Sequence, residues 1–350
     1  MKMNAYIAGV GMTRFGKHLD VKLKHLAGEA IREALSDSGL AASEIQAAYM
    51  GNAAAGVLQG QEMIRGQVVL RELGIGRIPV VNVENACATS STAFHQACAM
   101  VTFGAYDVVL VCGFEKLFNV DKMKSFLAFD GAVDTENPDG LKGALQLLAA
   151  EAGEEVDVQF DDKSRSVFMD IYACMSKAHM RKYGTTREQM AAVTAKNSRA
   201  GALNPRAQFQ TAMTVDEVLA AREIVWPLTL PMCSPIGDGA AAVVVVSERK
   251  ARALGLSRRV RVLSSALVSG FDADSEGRSV GAFAVNAAYE AAGLGPQDLS
   301  LAEVHDASAT SEIVAYEYLG ICDKGGGGRL VEDGVTALGG RIPVKASGRL

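Results

Sequence analysis

The chain has 350 residues, of which 49% are hydrophobic, 21% charged and 6% aromatic, with a net charge of -5. That length exceeds one small core and requires a large α/β unit or two domains, with the composition of a soluble globular protein. The acidic balance excludes a basic nucleic-acid footprint, and the one clear apolar run, residues 240–246, is far too short to cross a bilayer.

In chain order, the N-terminus carries no long apolar segment of the signal-peptide kind. Residues 5–10 read as a short strand with Gly9 and Gly11 at its end. Residues 23–40 carry Leu26, Ala30, Ile31, Ala34 and Leu35 at helical spacing, closed by Gly39. A second strand is expected over 45–50. Next, Ile78, Pro79, Val80, Val81 and Val83 form a β-type stretch that runs into Asn85-Ala86-Cys87-Ala88-Thr89-Ser90-Ser91. A small-residue helical pattern follows, from 88 to about 104. Cys87 therefore sits at a strand-to-helix turn, where the partial positive charge of the helix start favours thiolate, the reactive form. A buried, inert Cys is the plainer alternative; the context favours the reactive reading. A buried strand follows over 107–111.

Between Phe114 and Ser234 the character changes, with more charge and Met, acidic residues between Glu151 and Asp162, and Trp226-Pro227. This reads as a long excursion of helices and loops between two strands, of the kind that covers or shapes an active site. Residues 240–246 return as a strand. After Arg258 the alternation restarts, with a strand over 260–267 and a helix over 280–292. The second start echoes the first: helix, Gly39-Leu40, short acidic loop, strand, Gly51-Asn52-Ala53; then helix, Gly293-Leu294, short acidic loop, strand, His305-Asp306-Ala307. Gly39 and Gly293 each fit a left-handed helix cap. Duplicated halves are the expectation.

Six cysteines (Cys87, Cys98, Cys112, Cys174, Cys233, Cys322) lie without CxxC pairs, so neither zinc spacing nor a disulfide framework is indicated. A reducing cytoplasm is the simplest setting. Cys98 and Cys112 fall in element interiors and read as core; the sequence pattern assigns no disulfide or metal role to Cys174 or Cys233. Gly325-Gly326-Gly327-Gly328 is followed by no GK[ST] and reads as a flexible turn. His305 follows the expected strand 301–304 and precedes a helical run, 310–319. Such a position projects into a cleft at a strand end.

These stretches resemble the thiolase family, in its sterol-carrier-protein-type branch. The resemblance rests on residues 5–17, on the Asn85–Ser91 turn, and on residues 190–197 with Asn204-Pro205-Arg206-Ala207-Gln208. Ser234-Pro235-Ile236-Gly237-Asp238-Gly239 and Glu303-Val304-His305-Asp306-Ala307-Ser308 complete it. In the last of these, Ser308 stands where the HDxF pattern has Phe. The resemblance implies an α/β thiolase fold of two similar halves in five α/β/α/β/α layers, with an inserted loop domain. The halves map to 1–114 with 235–250 and to 251–350, and the loop domain to 115–234.

The resemblance also implies coenzyme A thioester chemistry. Coenzyme A is a substrate, with no bound cofactor and no metal. A homo-oligomer (dimer or tetramer) is implied, with a small OB-fold/zinc-ribbon subunit in some members, and no nucleic-acid or membrane partner. Cys87 would be the nucleophile. His305 would bind the thioester oxygen, against the alternative of a structural His. Ser234 would lie near coenzyme A, or be only a turn before a strand. Asp306 would orient its neighbours at the substrate or, more simply, cap the following helix. Lys177, Arg181 and Lys182 are read as a solvated basic face rather than as partners of coenzyme A phosphates.

The chain departs from the family at one end. None of His18, His25, His95, His179 and His305 lies in a GHP motif, and no C-terminal Gly-rich Cys motif occurs. Ser347-Gly348-Arg349-Leu350 has Arg where an SGGL-like stretch has its second Gly. As written, the second half would lack its last helix and closing strands and keep an open sheet edge. An incomplete sequence is the favoured explanation; a completing chain and a truncated, inactive paralogue are the others. The functional expectation is a thiolase cleaving or forming a 3-ketoacyl-CoA. The alternatives are a retro-aldolase of the same fold and a non-catalytic acyl-CoA-binding or scaffold subunit.

Overall fold

The computed structural model describes residues 1–153, 165–256, 260–270 and 279–348. Most of the acidic stretch between Glu151 and Asp162 and the final Arg349-Leu350 lie outside the described residues. In chain order the elements are β1 (Lys2–Met12), α1 (Leu23–Ser38), β2 (Ala47–Gly51), α2 (Ala55–Gln59), α3 (Arg65–Glu72), β3 (Val80–Val83), α4 (Thr89–Thr102) and β4 (Val108–Lys116). Then come α5 (Lys122–Asp130), α6 (Pro138–Ala152), α7 (Val167–Tyr183), α8 (Arg187–Leu203), α9 (Val215–Ala220), β5 (Glu223–Val225), β6 (Leu228–Thr229) and β7 (Asp238–Ser247). The last are α10 (Glu248–Ala253), β8 (Val260–Ser264), α11 (Val280–Ala292), α12 (Ala309–Tyr318) and α13 (Gly327–Glu332). They divide between two compact units, residues 1–128 with 237–294 and residues 129–236 with 295–350.

The first unit is built on a six-stranded mixed sheet in the order β3-β2-β4-β7-β1-β8. β2 runs parallel to both β3 and β4, and β7 pairs antiparallel with β4 and β1. Side chains alternate between the two faces with the period of two that a strand imposes. Ala48, Met50, Leu110, Cys112, Val244 and Val246 pack with Leu26, Ala30, Ile31 and Ala34 of α1 and with Val69 and Leu70 of α3. Ala47, Tyr49, Val109, Val111 and Val245 pack with Ala93, Ala97, Cys98 and Val101 of α4. Both faces are covered, which is why β4 and β7 read as unbroken apolar runs rather than as alternating ones.

Small residues set how closely α1 can lie on β1. A Cβ built on Gly11 would stand 2.2 Å from the Ala30 carbonyl oxygen and 2.5 Å from the Ala34 nitrogen, and one on Gly9 would stand 2.4 Å from the Ala34 oxygen. α1 ends at Gly39, whose φ of 67° lets its N–H reach the Ser36 oxygen, and α11 ends in the same way at Gly293, φ 70°. Both expected left-handed caps are present.

Two of the expected strands change. The strand expected over 260–267 ends at Ser264 and joins the first sheet, pairing Val260, Arg261 and Val262 with Ile7, Tyr6 and Ala5 of β1. β1 has β7 on one side only, so β8 supplies partners for backbone groups that would otherwise form a bare edge. The strand expected over 301–304 is reduced to a single bridge between Ala302 and Val344.

The second unit is mostly helical, as the long excursion predicted, with one two-stranded hairpin, β5–β6. Its core joins Ala173 of α7 and Met190, Ala191 and Val193 of α8 to Ile313 and Tyr316 of α12, Val331 of α13, and Ile342 and Val344. The glycine run is a turn only at its start, where Gly325 has φ 84°. Gly327 and Gly328 open α13. A Cβ on Gly327 would stand 2.6 Å from the Ile313 oxygen, and one on Gly328 2.2 Å from Gln189 Oε1. Close helix packing, not flexibility, accounts for these two glycines.

A Gly11→Ala substitution should therefore lower unfolding free energy by about 1–3 kcal/mol, since its clash is with backbone atoms that cannot rotate away. A urea midpoint equal to wild type would show that α1 does not rest on β1 this closely.

Candidate active site

β2, β3 and β4 are parallel, so their C-terminal ends lie on one edge of the sheet. There Gly51 is in register with Val83 and with Gly113. This is the edge at which α/β sheets place their sites. The chain leaves β3 through Glu84 and Asn85, makes a 3-10 turn over Ala86–Ala88, and enters α4 at Thr89. Ala86 has φ 43°, a left-handed conformation at a residue that carries a Cβ. Such a conformation costs about 1 kcal/mol or more and persists only where neighbours enforce it.

Those neighbours are identifiable. The Thr89 hydroxyl accepts from the Asn85 N–H at 2.8 Å and donates to the Ala86 oxygen at 2.7 Å. The Asn85 amide donates to Thr92 Oγ1 at 2.9 Å, and Glu84 Oε1 accepts the Ala86 N–H at 2.6 Å. The result is a sharp turn with Cys87 at its crest, exposed. Gly51 and Gly113 make room for it. A Cβ on Gly51 would stand 3.0 Å from Thr89 Cγ2, and one on Gly113 2.0 Å from Ser90 Oγ. Cys87 lines a cavity of about 210 Å³ together with Gly51, Ser90, Phe114 and Glu115.

Glu115 is the residue that sequence reasoning missed. At the end of β4, its carboxylate accepts from the Ala53 N–H at 2.9 Å, the Ala54 N–H at 3.2 Å and the Asn52 amide at 2.9 Å. Asn52 also donates to the Phe114 oxygen at 2.7 Å. Burial raises the carboxyl pKa above its ordinary value, and these donors together with the Lys116 backbone pull in the other direction. The signal available in the sequence was a lone acidic residue directly after the apolar run Val108–Phe114.

The other expected site residues belong to the second unit. His305 is exposed on the segment after the Ala302 bridge. Its pKa is lowered, chiefly by desolvation of the part of the ring that packs against protein. Asp306 raises it and Lys345 lowers it further. Asp306 does not cap the following helix. Ser308 does, accepting the Ser311 N–H at 3.3 Å. A hydroxyl at the HDxF Phe position thus takes the capping role, and Asp306 pairs with Lys345 Nζ at 3.1 Å.

Ser234 is exposed, and its N–H donates to the Ala307 oxygen at 3.0 Å. It lies on the rim of a cavity of about 620 Å³ whose walls include Phe209, Met213, Leu230 and Cys233. Two of the three basic residues of α7 rest beside aromatic rings, with Lys177 Nζ 5.8 Å from the Trp226 centroid and Lys182 Nζ 5.3 Å from that of Tyr183. Cys98 and Cys112 are buried as expected, and so are Cys174 and Cys233. Among the described residues no cluster of three or more His, Cys, Asp or Glu could hold a metal ion.

The family model for the thiolase N-terminal domain matches residues 5–221, and that for the thiolase C-terminal domain-like region matches residues 274–350. The chain is 36% identical over 349 residues to an acetyl-CoA acetyltransferase of Methanothermobacter thermautotrophicus, covering 98% of this chain and 84% of that protein. It is 34% identical over 355 residues to the benzoylsuccinyl-CoA thiolase subunit BbsB of Thauera aromatica, covering 99% and 83%. Sterol carrier protein 2 of Bos taurus is 32% identical over 361 residues, covering 100% of this chain and 63% of that protein. Among solved structures, the Ltp2-ChsH2(DUF35) aldolase superposes with a TM-score of 0.76 at 27% identity, covering 99% of this chain and 84% of that one.

Exposure separates the thiols. Burial pushes Cys98 up to about 12 and Cys322 likewise to about 12. Under native conditions at neutral pH, iodoacetamide should therefore label Cys87 first, with the buried thiols labelled only on unfolding. Peptide mass mapping reads this directly; equal labelling of Cys87 and Cys112 would contradict the geometry.

Proposed function

The chain belongs to the thiolase family, a family of acyltransferases, and has its fold; on that premise we propose that it is a thiolase using Cys87 as its covalent nucleophile on a 3-ketoacyl-CoA. The observation that carries this reading is the exposed thiol at the crest of a strained turn, lining its own cavity. The Cys87 sulfur attacks the C3 carbonyl carbon, and the carbonyl π electrons move to oxygen. Collapse of that alkoxide breaks the C2–C3 bond. The electron pair leaves on C2 and takes a proton, giving acetyl-CoA and an acyl group on sulfur. The thiolate of coenzyme A then attacks the acyl carbon and frees the Cys87 sulfur. Splitting one difficult cleavage into two acyl transfers is what covalent catalysis accomplishes. The same steps in reverse are a Claisen condensation.

His305 is assigned to the thioester oxygen, as a donor to the negative charge that develops there. Ser234 is assigned to the coenzyme A side. Asp306, held by Lys345, supports the segment that carries His305 instead of contacting substrate. No helix among the described residues is long and apolar enough to cross a membrane, and a cytoplasmic setting is part of the same reading. A homo-oligomer completes the reading. So does a small OB-fold/zinc-ribbon subunit, supported by the word "subunit" in the name of the Thauera relative and by the DUF35 protein named together with the structural neighbour.

That neighbour is an aldolase, which favours retro-aldol cleavage as the second reading. Retro-aldol chemistry needs no acyl-enzyme, so a thiol placed as Cys87 is would serve no purpose in it. On the thiolase reading, Cys87→Ala in the full-length protein should cut coenzyme A-dependent cleavage of 3-ketoacyl-CoA roughly 10⁴-fold or more, with the fold intact by circular dichroism. Wild-type turnover of that variant would overturn Cys87 as the nucleophile, and absence of this turnover in the wild-type protein would leave the aldolase or a non-catalytic binding role.

A further inference from the structure

Behind His305, inside the second unit, lies a closed ring of buried charge. It starts at Lys345, whose Nζ is 3.1 Å from Asp306 Oδ1. The Asn197 amide nitrogen lies 3.5 Å from Asp306 Oδ2 and 2.5 Å from Glu312 Oε2, bridging the two carboxylates. Glu312 Oε1 pairs with Lys196 Nζ at 2.7 Å and accepts the Tyr316 hydroxyl. Lys196 Nζ then donates to the Val344 oxygen at 2.6 Å, which returns the ring to the neighbour of Lys345. Glu312 is 0% exposed, Asn197 3%, Lys196 5% and Lys345 8%. Two cations and one carboxylate at such burial, with Asp306 half-buried at 21% beside them, are tolerated only because each has its partners.

A buried ion pair is often no more stabilising than apolar residues of similar volume. Lys345 also holds φ at 57°, a left-handed backbone that Gly would adopt freely. Its N–H donates to the Ala302 oxygen at 2.9 Å, while the Ala302 N–H donates to the Pro343 oxygen at 3.0 Å. Backbone and side chain of one residue thus grip both ends of the segment from Ala302 to Asp306. Strain and buried charge kept together at one place point to a geometric purpose.

We infer that Lys345 is a positioning residue for His305: it fixes the Asp306 carboxylate and the 302–306 segment, and the ring through Asn197, Glu312 and Lys196 keeps it there. The inference rests on the reading that His305 acts at the thioester oxygen. The groups that face His305 electrostatically are Asp306, which raises its pKa, and Lys345, which lowers it; Glu312 and Lys196 stand behind them.

The test uses the full-length protein with ¹³C-labelled histidine, the His305 resonance assigned by difference with His305→Ala. Lys345→Met should raise the His305 pKa, because a repelling cation is lost, and Lys345→Arg should leave it near wild type. Asp306→Asn should lower it. In turnover, Lys345→Met should cut kcat by about tenfold to a hundredfold with KM little changed, and Lys345→Arg should restore most of it. A merely structural lysine would lower the melting temperature of the Met variant and leave kcat unchanged, since the titration shift by itself reports only the lost charge. If Lys345→Met fails to fold, Asp306→Asn decides by the same two readouts. If His305→Ala abolishes turnover while Lys345→Met keeps wild-type kcat, the inference is overturned alone. If His305→Ala turns over normally, the reading of His305 fails and the inference falls with it.

Discussion

The Thr89 hydroxyl takes a hydrogen bond from the Asn85 N–H and gives one to the Ala86 oxygen, and between them these two bonds hold Ala86 in the left-handed region. Everything at the Cys87 end depends on that turn. Were Ala86 to relax into the ordinary region, the chain would leave β3 in another direction and Cys87 would no longer top the turn. The two glycines at the ends of β2 and β4 belong to the same constraint. They let the first turn of α4 drop onto the sheet, where Thr89 and Ser90 would otherwise collide with side chains. An exposed thiol is thus presented by steric economy: small residues below, a strained residue before, and hydroxyls to lock both.

The second unit solves a similar problem by electrostatics. His305 sits on a segment with almost no regular structure, since the strand expected there is a single bridge. Irregular backbone needs its groups satisfied individually. Here Lys345 and Ser347 do so, the latter donating from its N–H and hydroxyl to Glu303 at 2.9 Å each. The buried ring supplies the rigidity that a sheet would have given.

Much of this was legible in the sequence because it is local. Gly39 and Gly293 announce helix ends through a conformation that other residues adopt only under strain, and the helix over residues 280–292 is found with the bounds expected. Cys87 was legible from the change of pattern on either side of it. What could not be read is what depends on distant partners. Glu115 acts on Asn52, Ala53 and Ala54, some sixty residues away, and neither end carries a motif that names the other. Asp306 looked like a helix cap because the capping rule is local, yet Ser308 was a better cap and left Asp306 to Lys345. The strand at 260–264 has the same pattern whether it opens a new sheet or extends an old one; only the free side of β1 decides.

The most direct test of the central claim is rapid-quench mass spectrometry. The protein is mixed with a 3-ketoacyl-CoA in the absence of free coenzyme A, quenched in acid and mapped by peptide. The account predicts an acyl group on the peptide that contains Cys87, formed with release of acetyl-CoA and removed when coenzyme A is added. Substrate cleavage with an unmodified Cys87 would contradict it.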